Sequence, residues 1–270
     1  MIYTVLMMKR RLFVLLIVVV IGAAMLFAQA TQERITSRVG IISAMDNEID
    51  LLLKNAQIER VDQIGGWDFN VGKLCGKDVV IVKAGIGKVF ASAGTAAMFS
   101  NYNISSVIFT GIAGGVGDET KVLDVVVGTD LVAHDYGTVT DDGFYWRDEY
   151  MEQTGGRIFC NENLVNIAIK AAQEVVGKDS TFSGTIVTGD QFISSSNYVT
   201  YLQQKFNALA CEMEGASVAA ICNLYSIPFV VLRTMSDKAD GLAHETYENM
   251  ADIAADNSCD IVMRMLIDMK

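Results

Sequence analysis

Apolar and polar positions along this chain fall into short apolar runs separated by longer stretches at helical spacing. Residues 38–44 are almost wholly apolar after Arg38, as expected of a strand buried on both faces. Residues 45–53 then follow a helical pattern, with Asp46 or Asn47 available as its cap. Residues 67–74 and 78–84 read as two strands around Gly76-Lys77, which predicts a hairpin. Gly85-Ile86-Gly87-Lys88 is a tight turn into an Ala-rich helix over 89–100. Residues 106–109 form a short apolar strand, and the three glycines of 110–115 predict a loop there. A long strand over 122–133 delivers His134-Asp135. Residues 136–154 read as a polar loop with unusual aromatics, Phe144, Tyr145 and Trp146. A helix over 161–176, a strand over 183–187, a helix over 216–225, a strand over 229–232 and a final helix over 247–269 complete the pattern. The alternation fits one α/β domain over residues 31–270, with no linker or internal repeat dividing it.

The N-terminus changes that picture. Lys9, Arg10 and Arg11 precede an uncharged run over 12–28, and Ala28-Gln29-Ala30 follows. This is the charged, apolar and small-residue order of a secretory signal peptide over residues 1–30. The alternatives are an uncleaved membrane anchor and a buried helix. The first reading predicts an exported, periplasmic protein; the second predicts membrane attachment. Without those residues, which carry three basic and no acidic side chains, the net charge of −11 becomes −14. Nucleic-acid binding is excluded on that balance, because it needs concentrated Lys and Arg. Five cysteines, Cys75, Cys160, Cys211, Cys222 and Cys259, are scattered with no C-x-x-C spacing. Neither a zinc site nor a redox motif is indicated, and no metal or cofactor is expected.

Candidate chemistry sits in the connections. Glu212-Met213-Glu214 places two carboxylates two residues apart, which in a strand sends them to opposite faces. One could then face a ligand's hydroxyls and the other the scaffold. Glu48 falls in a first helical turn, where a negative charge is favourable in any case. Asp237 follows a buried strand, where it serves as a tuned acid or base or as a simple turn residue. Phe192 could stack on a planar base or pack in the core. His134 after a strand suggests acid–base work, though a structural role is the commoner one.

Seven stretches together resemble one family. They are G-I-I-S-A-M-D-N-E at 40–48, A-G-I-G-K-V at 84–89, T-G-I-A-G-G at 110–115, H-D at 134–135, T-G-D-Q-F-I at 188–193, E-M-E-G-A at 212–216 and R-T-M-S-D-K-A-D at 233–240. In this order they resemble the bacterial 5'-methylthioadenosine/S-adenosylhomocysteine nucleosidases of the nucleoside phosphorylase superfamily. The resemblance implies a three-layer α/β/α fold with a twisted mixed central sheet. It implies hydrolysis of the N-glycosidic bond to adenine, without a cofactor, in a homodimer that binds a small adenine nucleoside. Carried onto this sequence, Glu48 activates water and Asp237 protonates N7 of the leaving adenine. Glu214 holds the ribose hydroxyls, Met213 lies beneath the sugar, and the backbone of Phe192 and Ile193 holds the adenine edge. Gly114 lies against the ligand and Ser236 positions Asp237. Such roles call for two carboxyls with pKa values pushed apart. Ile112 departs from the family, standing where many relatives carry Ser. The alternatives are a phosphate-dependent phosphorylase and a noncatalytic exported nucleoside-binding or surface-interaction protein. The phosphorylase is disfavoured because residues 108–110 carry no Arg to hold phosphate.

Overall fold

The computed structural model describes residues 17–22, 36–146 and 156–269. Residues 17–22 are a short, largely exposed helical stretch. The export signal expected over residues 1–30 otherwise lies outside the described residues. The compact unit Arg38–Lys270 is described below.

Its elements in chain order are β1 (Arg38–Ser43), α1 (Asn47–Asn55), β2 (Gln57–Ile64), β3 (Trp67–Leu74), β4 (Lys77–Lys83), α2 (Lys88–Asn101), β5 (Ile104–Gly115) and β6 (Val125–Ala133). There follow β7 (Gly137–Thr140), β8 (Gly143–Trp146), β9 (Ile158–Phe159), α3 (Glu162–Val175), β10 (Thr181–Thr188), α4 (Ser196–Phe206), β11 (Ala208–Glu212), α5 (Gly215–Leu224), β12 (Phe229–Asp237) and α6 (Ala243–Asp268).

The main sheet runs β11-β10-β6-β12-β5-β1-β4-β3-β2, with β9 paired to β6. It is mixed: β1 is parallel to β4 and β5, and β12 is parallel to β5 but antiparallel to β6. The sheet also closes on itself, because β11 returns antiparallel to β5 at Ala210–Gly115 and Cys211–Gly114. Strand residues alternate between two apolar layers, as the pleat requires. Ile42, Val80, Val107, Phe109 and Val231 meet α2 and α5 on one face. Ile41, Val79, Ile81, Ile108 and Val230 meet α1, α3 and α6 on the other. The expected three-layer arrangement follows from that alternation.

Several elements depart from the sequence pattern. The glycine stretch 110–115 is the second half of β5, not a loop, and residues 233–237 are the second half of β12. Both strands outrun their apolar cores because their ends are buried against each other and against β11. The segment 136–154 contains the hairpin β7–β8, while residues 147–154 lie outside the described set. Helix α6 begins at Ala243, a turn earlier than the pattern indicates. The edge strand β2 and helix α4 were not indicated at all.

Candidate active site

The C-terminal ends of β1, β5 and β12 face the same way, and β11 comes back to meet them. Between them lies a cleft of about 370 Å³. All eight residues singled out above, Glu48, Gly114, Phe192, Ile193, Met213, Glu214, Ser236 and Asp237, line it. Most of the remaining wall is apolar, including Met45, Ile86, Ile112 and the half-buried Tyr247.

Glu48 is placed by α1. Ile49 and Leu52 of that helix are buried in the core, each contributing roughly 1.5–3 kcal/mol. This seats the first turn against the end of β1, with Glu48 only 2% exposed. The expected side-chain cap from Asp46 or Asn47 is absent: Asp46 occupies the cap position without a capping bond and pairs with Lys83 at 2.6 Å. The Glu48 carboxylate turns back instead. Its Oε2 accepts the N–H of Ala44 and of Met45, both at 2.8 Å, and its Oε1 accepts the N–H of Ile112 at 2.9 Å. A Cβ on Gly111 would collide with Glu48 Oε1 and with Arg233 Nη1, so glycine is required at that approach.

Asp237 ends β12. Its Oδ1 accepts the Ala239 N–H at 2.7 Å, and its Oδ2 accepts the Ser236 hydroxyl at 2.9 Å. Gly114 on the neighbouring strand makes room: a Cβ there would stand 2.9 Å from Ala239 Cβ and 3.0 Å from Asp237 Oδ1.

Glu212 and Glu214 do not face opposite ways. Strand β11 stops at Glu212, and Glu214 takes the cap position of α5 with φ −137° and ψ −36°. Both side chains therefore turn towards Arg233, which is fully buried in β12. Arg233 bonds the Glu212 carboxylate and lies 3.6 Å from Glu214 Oε2. Its guanidinium also stacks on the Phe109 ring, 4.2 Å from the centroid. Glu212 further accepts the Thr188 hydroxyl and the Gly215 N–H, so its role is structural. Glu214 Oε1 accepts the Gly87 N–H at 2.8 Å. A buried carboxylate is expensive alone, and one guanidinium shared among Glu48, Glu212 and Glu214 offsets part of that cost.

Burial raises the pKa of Glu48; the Arg233 charge and its three N–H donors oppose the rise. Burial likewise raises Asp237, against the Ala239 N–H and the Ser236 hydroxyl. The two carboxyls are thus displaced in the same direction rather than apart. The reason is that both are withdrawn from water into one cleft. Burial and the neighbouring Glu212 charge raise Glu214 as well.

The sequence reading missed Arg233. It lies within a matched stretch, but its carboxylate neighbours are far away in sequence or on another strand. His134 does not reach the cleft. It is fully buried, its Nδ1 3.2 Å from the Tyr198 hydroxyl, and burial lowers its pKa. Ile112 lends its N–H to Glu48, while its side chain packs against Ala251, Ala254 and Ala255 of α6. Among the described residues no group of three or more His, Cys, Asp or Glu could hold a metal ion.

A cleft with four buried carboxyls, an apolar wall and glycines at its closest approaches suits a small polyol-bearing ligand. Comparisons with known proteins bear on which one. A family model described as the phosphorylase superfamily matches residues 38–267. A 5'-methylthioadenosine/S-adenosylhomocysteine nucleosidase of Aeromonas salmonicida is 34% identical over 230 residues, 85% of this chain and 98% of that protein. The crystal structure of the nucleosidase of the same name from Neisseria meningitidis, in complex with methylthio-immucillin-A, matches with a TM-score of 0.79 at 34% identity, over 87% of this chain and 100% of that one. The native structure of a Helicobacter pylori futalosine hydrolase matches with a TM-score of 0.78 at 29% identity, over 87% of this chain and 99% of that one. This chain belongs to the phosphorylase superfamily and, within it, to the 5'-methylthioadenosine/S-adenosylhomocysteine nucleosidases.

Proposed function

We propose that the chain hydrolyses the N-glycosidic bond of 5'-methylthioadenosine, S-adenosylhomocysteine and 5'-deoxyadenosine, releasing adenine. The observation that carries this reading is the meeting of Glu48, Glu214 and Asp237 on a single apolar cleft. Adenine is a poor leaving group until protonated, so an acid must deliver a proton to it. Asp237 has that role towards N7, and Ser236 holds it in place. As the bond breaks, the sugar acquires oxocarbenium character, which nearby carboxylate charge stabilises. Glu48 polarises the attacking water. Glu214 holds the ribose hydroxyls, Met213 lies under the sugar, Gly114 lets the ligand approach, and the backbone at Phe192 and Ile193 receives the adenine edge.

Water is favoured over phosphate as the nucleophile. Arg233 lies near Glu48, but it is bound to Glu212 and faces three carboxylates. One guanidinium among three carboxylates leaves the site negative and unsuited to a phosphate dianion. The test is adenine release from 5'-methylthioadenosine in phosphate-free buffer. Release only with phosphate would favour a phosphorylase, and binding without release a noncatalytic protein. Futalosine belongs in the same assay, since the match to that hydrolase is equally extensive.

We further propose a homodimer. Supporting it are apolar side chains left in solvent around one side of the cleft and on the β7–β8 hairpin: Ile86, Val89, Phe90, Val139 and Tyr145. Gel filtration at micromolar concentration giving only monomer would count against it. Export through residues 1–30 is supported by their charge and apolar pattern. Activity recovered separately from cytoplasm and periplasm tests it.

A further inference from the structure

We infer that Lys88 is a positioning residue for the sugar: anchored to Asp135 and Asp190, it fixes the Gly87 N–H that holds Glu214 against the ribose. The inference rests on the ribose role proposed for Glu214.

Among the described residues, the Gly87 N–H is the one hydrogen-bond donor to the Glu214 carboxylate, at 2.8 Å. Arg233 is committed to Glu212 and stays 3.6 Å away. The charge of Glu212 acts against Glu214 in the same buried space. Whatever fixes Gly87 therefore fixes Glu214. Gly87 belongs to a turn that only glycine readily forms, with φ of +101° at Gly85 and +92° at Gly87. Such a turn needs an anchor, and Lys88 supplies it at the first residue of α2. Its backbone N–H donates to Asp190 Oδ1 at 2.8 Å, and its Nζ donates to both oxygens of Asp135 at 2.6 Å. Asp135 also accepts the Asp190 N–H at 3.0 Å. Burial alone would raise the Asp135 carboxyl; Lys88 and that N–H outweigh it and hold it below the usual aspartate range.

Three segments distant in sequence are thereby tied at one point: the turn before α2, the end of β6 and the loop after β10. Asp190 stands two residues before Phe192, where the adenine edge is received. The network therefore links the base-binding loop to the sugar clamp. It explains why the chain invests a Lys and two Asp beside a cleft that none of them enters. An exposed ion pair without this connection changes little when removed.

The test compares Lys88→Met with the wild type on 5'-methylthioadenosine and on its 2',3'-dideoxy analogue. KM is read from adenine release, or Ki against 5'-methylthioadenosine if the analogue is not turned over. A circular-dichroism melt checks that the variant is folded; Asp135→Ala, which removes the acceptor and so cuts the same link from the other side, replaces it if it is not. The expected result is a roughly tenfold rise in KM for the hydroxylated substrate, with less than a twofold change for the dideoxy analogue, because the contact being positioned is already missing there. Lys88→Arg, which keeps the charge and the reach to Asp135, should stay within threefold of wild type. An equal rise on both ligands, or no rise on either, overturns the inference alone. A wild type that binds both ligands equally overturns it together with the ribose role of Glu214.

Discussion

Glu48 receives three backbone N–H groups, from Ala44, Met45 and Ile112, whereas Asp237 receives one, from Ala239, and a hydroxyl, from Ser236. Both carboxyls are buried at one cleft and both have raised pKa values. Burial therefore does not tell them apart. Their partners do. A backbone N–H can only donate, so every polar neighbour bonded to Glu48 demands an acceptor. Three of the four lone-pair sites of the carboxylate are filled in this way, both on Oε2 and one on Oε1, which favours the ionised form and leaves one site on Oε1 open. A hydroxyl donates or accepts, so Ser236 can reverse when Asp237 takes up a proton. The first corner favours a fixed anion, and the second suits a group that gains and loses a proton.

The comparison breaks most visibly at Glu48→Gln. An amide has one acceptor oxygen. Turned either way, it points its NH₂ at a backbone N–H, Ile112 on one side or Ala44 and Met45 on the other. The expected outcome is a loss of turnover of about 10³-fold or more, together with roughly 1–3 kcal/mol of stability from the unpaired buried donors. Adenine-release kinetics and urea unfolding measure the two effects. Turnover within tenfold of wild type would remove Glu48 from the chemistry.

Asp237→Asn gives the contrasting half. Its amide oxygen can keep the Ala239 N–H, and its NH₂ can donate to the Ser236 oxygen. Stability should stay within about 0.5 kcal/mol of wild type, the range of substitutions that leave no group unpaired. Only the proton is lost, so kcat should fall about 10²–10⁴-fold, with KM changed by less than about threefold. A variant as destabilised as Glu48→Gln would mean the two corners are not built differently. A near-normal kcat would remove the general-acid role.

That asymmetry was only partly legible in the sequence. The loops carrying the carboxyls could be picked out because short, glycine-bearing motifs sit at strand ends in a fixed order. The strands through the core were legible as apolar runs. Strand continuity through 110–115 and 233–237 was not, because glycines and polar residues there are buried by tertiary pairing rather than by their own hydrophobicity. The edge strand β2 carries Glu59, Arg60 and Asp62 and buries no residue fully, so it has little apolar signature. Arg233 was invisible as a site residue for a different reason. Its place follows from three carboxylates whose convergence only the closed sheet creates. The same closure overturned the expectation for Glu212 and Glu214: alternation holds within a strand, and the strand ends between them.

Ser236→Ala sharpens the comparison with a smaller effect. It removes the reversible partner and leaves Asp237 its Ala239 N–H. One neutral hydrogen bond is worth about 1 kcal/mol, so kcat should fall on the order of tenfold. The basic limb of the kcat profile should move to higher pH, since the hydroxyl no longer steadies the ionised form of Asp237 and its pKa rises further. A tenfold rise in KM with kcat intact would make Ser236 a binding residue.

Glu214 is the internal control, a buried carboxyl with a single N–H donor and Glu212 beside it. Burial first, and then the Glu212 charge, push its pKa up to about 8 against the Arg233 charge and the single N–H. The folded state then binds this proton more tightly than the unfolded chain does. Stability from Glu214 is fully present below the ordinary glutamate value and is lost as pH rises through about 8. Between pH 6 and pH 8 the unliganded protein should lose on the order of 1–2 kcal/mol from this group. Glu214→Gln keeps an oxygen for the Gly87 N–H and removes the titration, so its stability should vary less over that interval. Urea unfolding of both proteins at the two pH values makes the measurement. Parallel curves would mean that one N–H and a guanidinium 3.6 Å away hold an anion as well as the Glu48 cradle does, and donor count would no longer separate the carboxyls of this cleft.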